Sequence, residues 1–424
     1  MLPSLNNLRV LRVLRVLLLL SVLAACAAPA PPRPTPPPAA SAPLSGGNAS
    51  APTSNLTDGC VRDYDPAVDY FPAKLTLDYA TGWQISYHNH YKLLTVTQPW
   101  LGADTQFEYV LVQCGTPVPD GYPTAQVIEV PARSIITMST THLPHILTLG
   151  LLDRLVGVDT AAFINAPEVR ERVASGAAAE IGSGATVNVE RVLELEPSLV
   201  MTFGSGDPQF DSHPALLAAG VPVAINAEFL EPSPLGQAEW LKFTAAFFNH
   251  EAAAQQHFAA LAAEYTALRE QVAAALATDA ERPTVLVGAP YQGTWFVAGG
   301  KSHIAQLIAD AGGQYVWADV DKMGAEPISF EAVLERASDA DFWINTSTWA
   351  SRAEALAEDE RFSNFTALTQ QRVYNNNARV NEQGGNDYFE SGLANPQLLL
   401  ADLVAIFHPE LLPDHTLVYY QQLP

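Results

Sequence analysis

Residues 233–283 read SPLGQAEWLKFTAAFFNHEAAAQQHFAALAAEYTALREQVAAALATDAERP and decide how the chain is organised. Ala, Leu, Glu and Gln dominate this stretch. Ser233 is a suitable N-cap, Pro234 suits the first helical position, and Pro283 ends the pattern. The large apolar residues near helical spacing are Trp240, Phe243, Phe247, Phe258, Leu261, Tyr265 and Leu268. The stretch therefore predicts a long amphipathic helix, or two helices in tandem, over 233–280.

Short apolar runs alternate with helical segments on both sides of this connector. The runs predicted as strands are 134–138, 155–158, 199–202 and 223–225 before it, and 285–287, 342–345 and 372–374 after it. Such alternation is typical of α/β folds with parallel sheets. About 365 residues follow residue 59, more than one core usually holds. We therefore expect an N-terminal lobe at 59–232 and a C-terminal lobe at 281–424.

Residues 60–130 have a different pattern. The runs 76–79, 84–87, 92–96 and 109–112 are typical of antiparallel strands. They predict a β extension of the first lobe. Cys60 and Cys114 flank these strands, and an even pair of cysteines outside the cytoplasm predicts a disulfide. Two free buried thiols are the alternative.

The amino terminus is typical of a processing signal. Three arginines precede an apolar run at 16–23 that is too short to span a bilayer, and Leu23-Ala24-Ala25-Cys26 resembles the bacterial lipobox. We predict a lipoprotein signal over 1–26, with lipidation at Cys26, and an extracytoplasmic, lipid-anchored protein. An ordinary secretory signal is the alternative. Residues 27–58 are rich in Pro, Ala and Ser, which predicts a disordered tether.

The charge of the chain excludes some partners. It has 22 Lys and Arg against 45 Asp and Glu, a formal net charge of −23. Loss of the three signal arginines makes this about −26. Nucleic-acid binding and electrostatic attachment to anionic lipid are therefore not expected.

One short motif occurs in both halves. NVERVLE at 188–194 matches SFEAVLE at 329–335, and each leads into an apolar strand. Each begins with a cap residue and places a glutamate, Glu190 or Glu331, in the first turn. A first-turn glutamate also favours the positive end of any helix, which is the purely structural explanation. Its repetition points to equivalent units in the two lobes.

Several stretches together resemble the periplasmic substrate-binding proteins of ABC transporters for iron-siderophores, haem and cobalamin. The matching stretches are 132–158, 188–200, 234–240, 298–302 with 310–313, and 329–343, within about 130–405. The resemblance implies an α/β fold of two parallel-sheet lobes joined by one long helix, a monomer, and no enzyme activity. The extension at 60–130 lies outside the family's common core.

The resemblance also implies a mechanism. Members of this class present one glutamate on each lobe to arginine pockets of a permease dimer, which works with its ATPase. Glu190 and Glu331 match those positions. Exposed carboxylates far apart on two lobes suit recognition by charge complementarity. The connecting helix implies modest changes of lobe orientation.

Ligands of parallel α/β sheets bind beyond the carboxyl ends of the strands. The loops after residues 138, 202, 287 and 345, with the segment 381–390, should therefore form the ligand site. The residues predicted to contact the ligand are Ser139, Thr140, His142, Ser205, Tyr291, Trp295, Trp349, Arg352, Arg379 and Tyr388. Aromatic side chains with a few polar ones suit a large chelate.

These assignments have alternatives. Tyr291 and Trp295 can instead be packing residues, and arginines mostly form surface pairs rather than bind an anionic chelate. His142 can bond a cargo or ligate haem iron, and with His145 it can share one helix face toward a metal. No resident metal or cofactor is predicted.

The resemblance makes a ferric siderophore the expected cargo, with haem and cobalamin as alternatives. A zinc- or manganese-binding protein would need three or four clustered ligands, which the sequence does not bring together. A secreted hydrolase is disfavoured, since the chain has no Gly-x-Ser-x-Gly and no His-Glu-x-x-His motif. A sensor or scavenger on the same fold, without a permease, is a further alternative.

Overall fold

The computed structural model describes residues 51–276, 281–346 and 348–424. The signal, Cys26 and most of the predicted tether lie outside these residues. Within them the α/β class with parallel sheets is confirmed. No helix in the described ranges combines the length and the apolarity needed to cross a membrane.

The β extension is a four-stranded sheet in the order β1-β2-β3-β4. Its strands are β1 Trp83–Tyr87, β2 Tyr91–Val96, β3 Phe107–Gln113 and β4 Gln126–Val130. The first three are antiparallel, and β4 runs parallel to β3. A disulfide joins Cys60 to Cys114, with Cα atoms 4.6 Å apart. The sequence did not predict β4.

The first lobe contains a five-stranded, fully parallel sheet in the order β7-β6-β5-β8-β9. The strands are β5 Ile135–Thr137, β6 Leu155–Val158, β7 Ala179–Glu180, β8 Leu199–Thr202 and β9 Val223–Ile225. The helices between them are α1 Leu143–Thr148, α2 Pro167–Ala174, α3 Val189–Leu195 and α4 His213–Ala218. All four strands predicted in this lobe are present.

The connector is three helices: α5 Pro234–Ala238, α6 Leu241–Phe248 and α7 Glu251–Ala275. Ser233 caps α5 as predicted, accepting a hydrogen bond from the N–H of Gly236 at 3.0 Å. Asn249 ends α6 in the left-handed conformation, with φ 59°. The long helix is therefore α7, of 25 residues. Residues 277–280 lie outside the described residues.

The second lobe has a mixed sheet in the order β13-β10-β15-β16-β17, in which β17 alone is antiparallel to its neighbour. A smaller antiparallel sheet, β11-β12-β14, was not predicted. The strands are β10 Thr284–Val287, β11 Pro290–Tyr291, β12 Thr294–Ala298, β13 Gln314–Tyr315, β14 Ala325–Ile328, β15 Phe342–Ile344, β16 Val373–Asn375 and β17 Gln421–Gln422. The helices are α8 His303–Asp310, α9 Phe330–Ala337, α10 Arg352–Glu358, α11 Thr366–Thr369 and α12 Pro396–Phe407.

The apolar residues of the connector divide between two cores. Trp240 and Phe243 pack with Trp83 of the extension, at ring centroid distances of 6.0 and 5.4 Å, in a core shared with the first lobe. Phe258 and Tyr265 of α7 lie in the core of the second lobe. The extension and the first lobe therefore share one core, whereas Phe258 and Tyr265 bring most of α7 into the core of the second lobe.

Buried carboxylates in and just before the connector hold the segment before β1. Glu239 accepts hydrogen bonds from the N–H groups of Asp78, Tyr79 and Ala80, at 2.7–3.0 Å. Glu231 accepts from the N–H of Gly82 and others nearby. The predicted strand at 76–79 was wrong, because these N–H groups bond a carboxylate rather than a neighbouring strand.

A third carboxylate, Glu251 at the start of α7, is fully buried with Lys92 of β2, at 2.6 Å. It also accepts a hydrogen bond from Asn55 Nδ2 at 2.7 Å. Asn55 is itself buried, and Asn249 donates to the carbonyl of Leu56. Residues 51–58 therefore belong to the folded body and not to the predicted tether, since Asn55 and the carbonyl of Leu56 form hydrogen bonds with buried side chains of the connector.

We expect Lys92→Met to destabilise the protein by about 3–5 kcal/mol, because it leaves the Glu251 carboxylate buried without its cation. Lys74→Met is the matched control, since the Lys74–Asp69 pair lies in the same extension and is about 44% and 43% exposed. It should change stability by less than about 1 kcal/mol. Urea unfolding followed by tryptophan fluorescence measures both. Equal effects of the two variants would contradict the role given to Glu251.

Candidate ligand site between the lobes

The carboxyl ends of the parallel strands of the two lobes face each other. The turn Thr140–His142, which follows β5, packs against the turn Tyr388–Gly392, which follows β16 in the second lobe. The turn Glu228–Leu230 follows β9 and faces the start of α8 across a cavity. These loops form the space where a ligand of such a fold binds.

A polar cluster lies at the end of β5. Thr141 donates from Oγ1 to Glu228 at 2.6 Å and is hydrogen-bonded to Ser139 Oγ at 2.9 Å. The ring of His142 is 1% exposed, with Nε2 4.0 Å from Glu228 Oε2. The pKa of His142 is lowered to about 3, mainly by burial and to a lesser extent by like charge from His145. His142 is therefore neutral at pH 7 and is not presented to solvent.

A cavity of about 260 Å³ lies between the lobes beside this cluster. Phe229 and Leu230 line it from the first lobe, and His303 and Met323 line it from the second. Leu101 of the β extension forms a further wall. None of these residues was predicted from the sequence. The turn after β9 could have been included, because 223–225 was a predicted strand and ligands bind beyond the carboxyl ends of such strands.

Direct hydrogen bonds also join the lobes, in what we call the interlobe clasp: Glu390 and Asn381 of the second lobe with residues 162–166 of the first. The buried Glu390 carboxylate accepts from the N–H groups of Asn165 and Ala166, at 2.6 and 2.8 Å. Asn381 Nδ2 donates to the carbonyls of residues 162 and 164, at 3.1 and 3.0 Å. Gly385 lies against this loop, where a Cβ would be 2.3 Å from the carbonyl oxygen of residue 163.

The structure brings four of the predicted ligand residues together. Ser139, Thr140 and His142 lie on one side of the contact between the lobes, and Tyr388 lies on the other. Tyr388 is 3% exposed and packs edge-on against Tyr420. Burial raises the pKa of Tyr388, so its hydroxyl stays protonated.

Ser205 lies apart from this group, on an exposed loop after β8. Its N–H and its hydroxyl both donate to Asp211 Oδ1, at 2.6 and 2.8 Å. Its polar groups are therefore occupied in shaping their own loop.

Of the other three predicted aromatic residues, one is exposed and two are buried. Tyr291 is 67% exposed on the β11–β12 hairpin and does not line the cavity of about 260 Å³. Trp295 is fully buried, donates to the carbonyl of Val287 at 3.2 Å and packs on Trp343. Trp349 is 4% exposed and donates to Glu358 at 2.8 Å. Trp295 and Trp349 are thus placed in the core of the second lobe and not in the site.

The two predicted arginines lie outside the cavity. Arg379 pairs with Asp387 at 2.8 Å and lies beside the interlobe clasp. Arg352 starts α10, where its side chain is near the carbonyl of Leu368. Arg379 lines a second cavity between the lobes, of about 280 Å³, together with Asn165 and Glu390. Neither arginine lines the cavity of about 260 Å³ beside Phe229.

Glu190 and Glu331 occupy equivalent places in the two lobes. Each lies in the first turn of a helix that leads into an interior strand of its sheet, α3 into β8 and α9 into β15. The cap residues Asn188 and Ser329 accept the hydrogen bonds expected of them. Both glutamates are exposed, and Glu331 lies 3.4 Å from Arg361.

Comparison with protein families shows what this arrangement is. A model described as "periplasmic binding protein" matches residues 135–380, more than half of the chain. The chain belongs to the periplasmic binding protein family. It is therefore a solute-binding protein of the class that serves ABC transporters, and the extension lies outside the matched residues.

Two relatives of this binding protein are uncharacterised lipoproteins of Methanocaldococcus jannaschii. One is 25% identical over 297 residues, covering 67% of this chain and 67% of the relative. The other is 25% identical over 329 residues, covering 74% of this chain and 80% of the relative.

Solved structures share the fold. A possible iron-binding (periplasmic solute-binding) protein of Staphylococcus epidermidis has a TM-score of 0.51 and 15% identity, with 66% of this chain and 99% of that one covered. CeuE of Helicobacter pylori, in a nickel–histidine complex, has a TM-score of 0.51 and 17% identity, covering 68% and 86%. The molybdate-binding MolA of Haemophilus influenzae has a TM-score of 0.50 and 17% identity, covering 67% and 89%.

Among the described residues, one group of three potential metal-ligating side chains lies close together: Cys60, Cys114 and Glu129. Its two cysteines form the disulfide and cannot act as thiolate ligands in that state.

We expect Glu390→Ala in this binding protein to speed hydrogen exchange at the amides of Asn165 and Ala166 by about tenfold or more. The substitution removes both acceptors, and a hydrogen bond to a charged group contributes about 1.5–3 kcal/mol. Hydrogen exchange with mass spectrometry measures the effect. Glu382→Ala, an exposed change in the same segment, should leave these amides unaffected. Unchanged protection in the Glu390 variant would show that the clasp does not hold the lobes together.

Proposed function

We propose that this protein is an extracytoplasmic lipoprotein that captures a ferric siderophore or a related metal chelate and delivers it to an ABC permease and its ATPase. The observation that carries the proposal is the cavity between the strand ends of the two lobes, on a chain that belongs to the periplasmic binding proteins. Its aromatic and aliphatic lining suits an organic ligand better than a bare ion.

The structural neighbours support a metal-linked cargo. One is described as possibly iron-binding, one is in a nickel–histidine complex, and one binds molybdate. Organic chelates fit the apolar lining of this cavity better than an oxyanion does, because no Lys or Arg lines it. Haem and cobalamin are organic chelates of the same general kind and are alternative cargoes.

Exposed Tyr291 and the polar groups at the end of β5 are the proposed contacts around the chelate. Ser139 and Thr140 are only partly buried, so their hydroxyls can reach a cargo at the contact between the lobes. Tyr388 supports this contact from the second lobe.

Delivery is proposed to depend on Glu190 and Glu331. Their equivalent positions on the two lobes and their exposure suit two arginine pockets of a permease dimer. The anchor is proposed to be a lipid on Cys26, which agrees with the description of both archaeal relatives as lipoproteins.

The cargo is tested by titrating the soluble protein, begun at residue 51 so that Asn55 is kept. We expect tryptophan quenching with a dissociation constant in the micromolar range or below for one class among ferric hydroxamates, ferric catecholates, haem and cobalamin. Apo siderophores and metal-free porphyrin are the controls for the metal. Silence toward all four classes, in protein shown to be folded, would remove the proposed cargo.

Docking is tested by Glu190→Gln and Glu331→Gln in permease reconstituted into vesicles. Each variant should lower cargo-dependent ATP hydrolysis severalfold, and the double variant should lower it further, because a charged partner is lost on each lobe. Glu194→Gln and Glu335→Gln lie on the same two helices, are exposed, and should have little effect. Cargo affinity should be unchanged in all of them. Full activity of the double variant would remove the docking role.

A further inference from the structure

The loop between β2 and β3, residues 97–106, connects the β extension to the ligand site. Trp100, in this loop, packs its ring against the loop that follows β8. A Cβ added to Gly204 would be 2.7 Å from that ring, and one added to Gly206 would be 2.9 Å from it. Its ring also stacks on His213 at 5.6 Å. The two glycines therefore permit Trp100 to fasten the 97–106 loop to the first lobe.

The next residue, Leu101, reaches the second lobe. An added Cβ at Gly324 would lie 3.1 Å from Leu101 Cδ2, and both residues line the cavity with Phe229 and Met323. Leu101 is 59% exposed, so a large apolar side chain is held partly in solvent at the edge of the cavity. Such a residue is poorly explained by the packing of the extension, whose core consists of other side chains.

No cationic side chain lines the cavity, and the polar groups of Glu231 and Ser302 are already hydrogen-bonded within the protein. The Glu231 carboxylate is already bonded to the indole N–H of Trp240 at 2.8 Å and to backbone N–H groups. Ser302 donates to the carbonyl of Gly299 at 2.7 Å. Burial lowers the pKa of His303 to about 4, so its imidazole is neutral at pH 7, with one N–H donor and one acceptor nitrogen. An anionic group entering here would lose its hydration without gaining an opposite charge, because no Lys or Arg lines the cavity.

We propose that Leu101 is a specificity-determining residue, and that the 97–106 loop adds a third wall to the ligand site that selects cargo with an uncharged apolar portion. The cavity of about 260 Å³ is smaller than most sites for whole ligands of drug size. It therefore holds one arm or one face of a chelate, for example an acyl or aromatic arm, rather than the complete molecule. This role rests on the proposed function, since it assumes that cargo binds between the lobes.

The experiment uses two fluorescent probes with the same ring system and different charge: uncharged N-phenyl-1-naphthylamine and its anionic relative 1-anilinonaphthalene-8-sulfonate. The protein begun at residue 51 is titrated with each probe as wild type, Leu101→Ala and Leu101→Asp. Val118→Ala and Val118→Asp are the matched controls, because Val118 is an apolar residue of the same extension with the same 59% exposure. Since Leu101 is exposed, its variants should fold normally.

We expect the wild type to bind the uncharged probe saturably and at least about tenfold more tightly than the anionic one. Leu101→Ala should weaken binding of the uncharged probe about fivefold, and Leu101→Asp more than tenfold, because apolar contact is lost and a charge is placed at the wall. The Val118 variants should bind like the wild type.

Three outcomes overturn the inference: no saturable binding of the uncharged probe to folded wild type, equal affinity of wild type and Leu101→Asp, or equal affinity for the two probes. The chelate titration described above is independent of these results. If no chelate binds but the uncharged probe does, the proposed cargo is wrong and the role of Leu101 stands. If a chelate binds but the uncharged probe does not, the role of Leu101 is wrong and the proposed cargo stands.

Discussion

Three buried carboxylates in and just before the connector, those of Glu231, Glu239 and Glu251, position the β extension. Each would be costly to bury alone, and each is satisfied by backbone N–H groups or by a lysine from residues 51–96. Lys242 adds a second buried cation, paired with Glu239 at 2.7 Å. These polar contacts fix the extension to the connector. Because the connector helices also carry apolar residues of both cores, the extension, the first lobe and the connector are fixed relative to one another.

That fixed arrangement has a consequence for the site. The extension is held against the first lobe, so its 97–106 loop stays at the edge of the space between the lobes. The interlobe clasp then closes another part of this space through Glu390 and Asn381. The two lobes thus meet through polar contacts at one place and enclose an apolar cavity at another. A binding protein built in this way can hold a cargo that has both a polar centre and an apolar arm.

Much of the fold followed from local patterns, while several site residues did not. The strands at 155–158, 199–202 and 223–225 match the structure because short apolar runs between helices have few other solutions. Trp295 could not be assigned from its neighbours, since an indole in a short hairpin suits a core as well as a cleft. Leu101 could not be predicted as a site residue, because only its contact with the second lobe distinguishes it from any other exposed leucine in a loop.

The sequence by itself determined the α/β class, the two lobes, the family and the equivalence of Glu190 with Glu331. The α/β class and the repeated helix starts depend on hydrophobic periodicity and on helix caps, which act over a few residues, and the family follows from the resemblance of several stretches to its members. Tertiary structure alone decided that residues 51–58 belong to the folded body, which aromatic residues are buried, and which loops meet between the lobes. These depend on contacts between residues up to some 225 positions apart, such as Glu390 with Asn165. Each buried polar group needs a hydrogen-bond partner, and no local sequence pattern shows which distant group that partner will be.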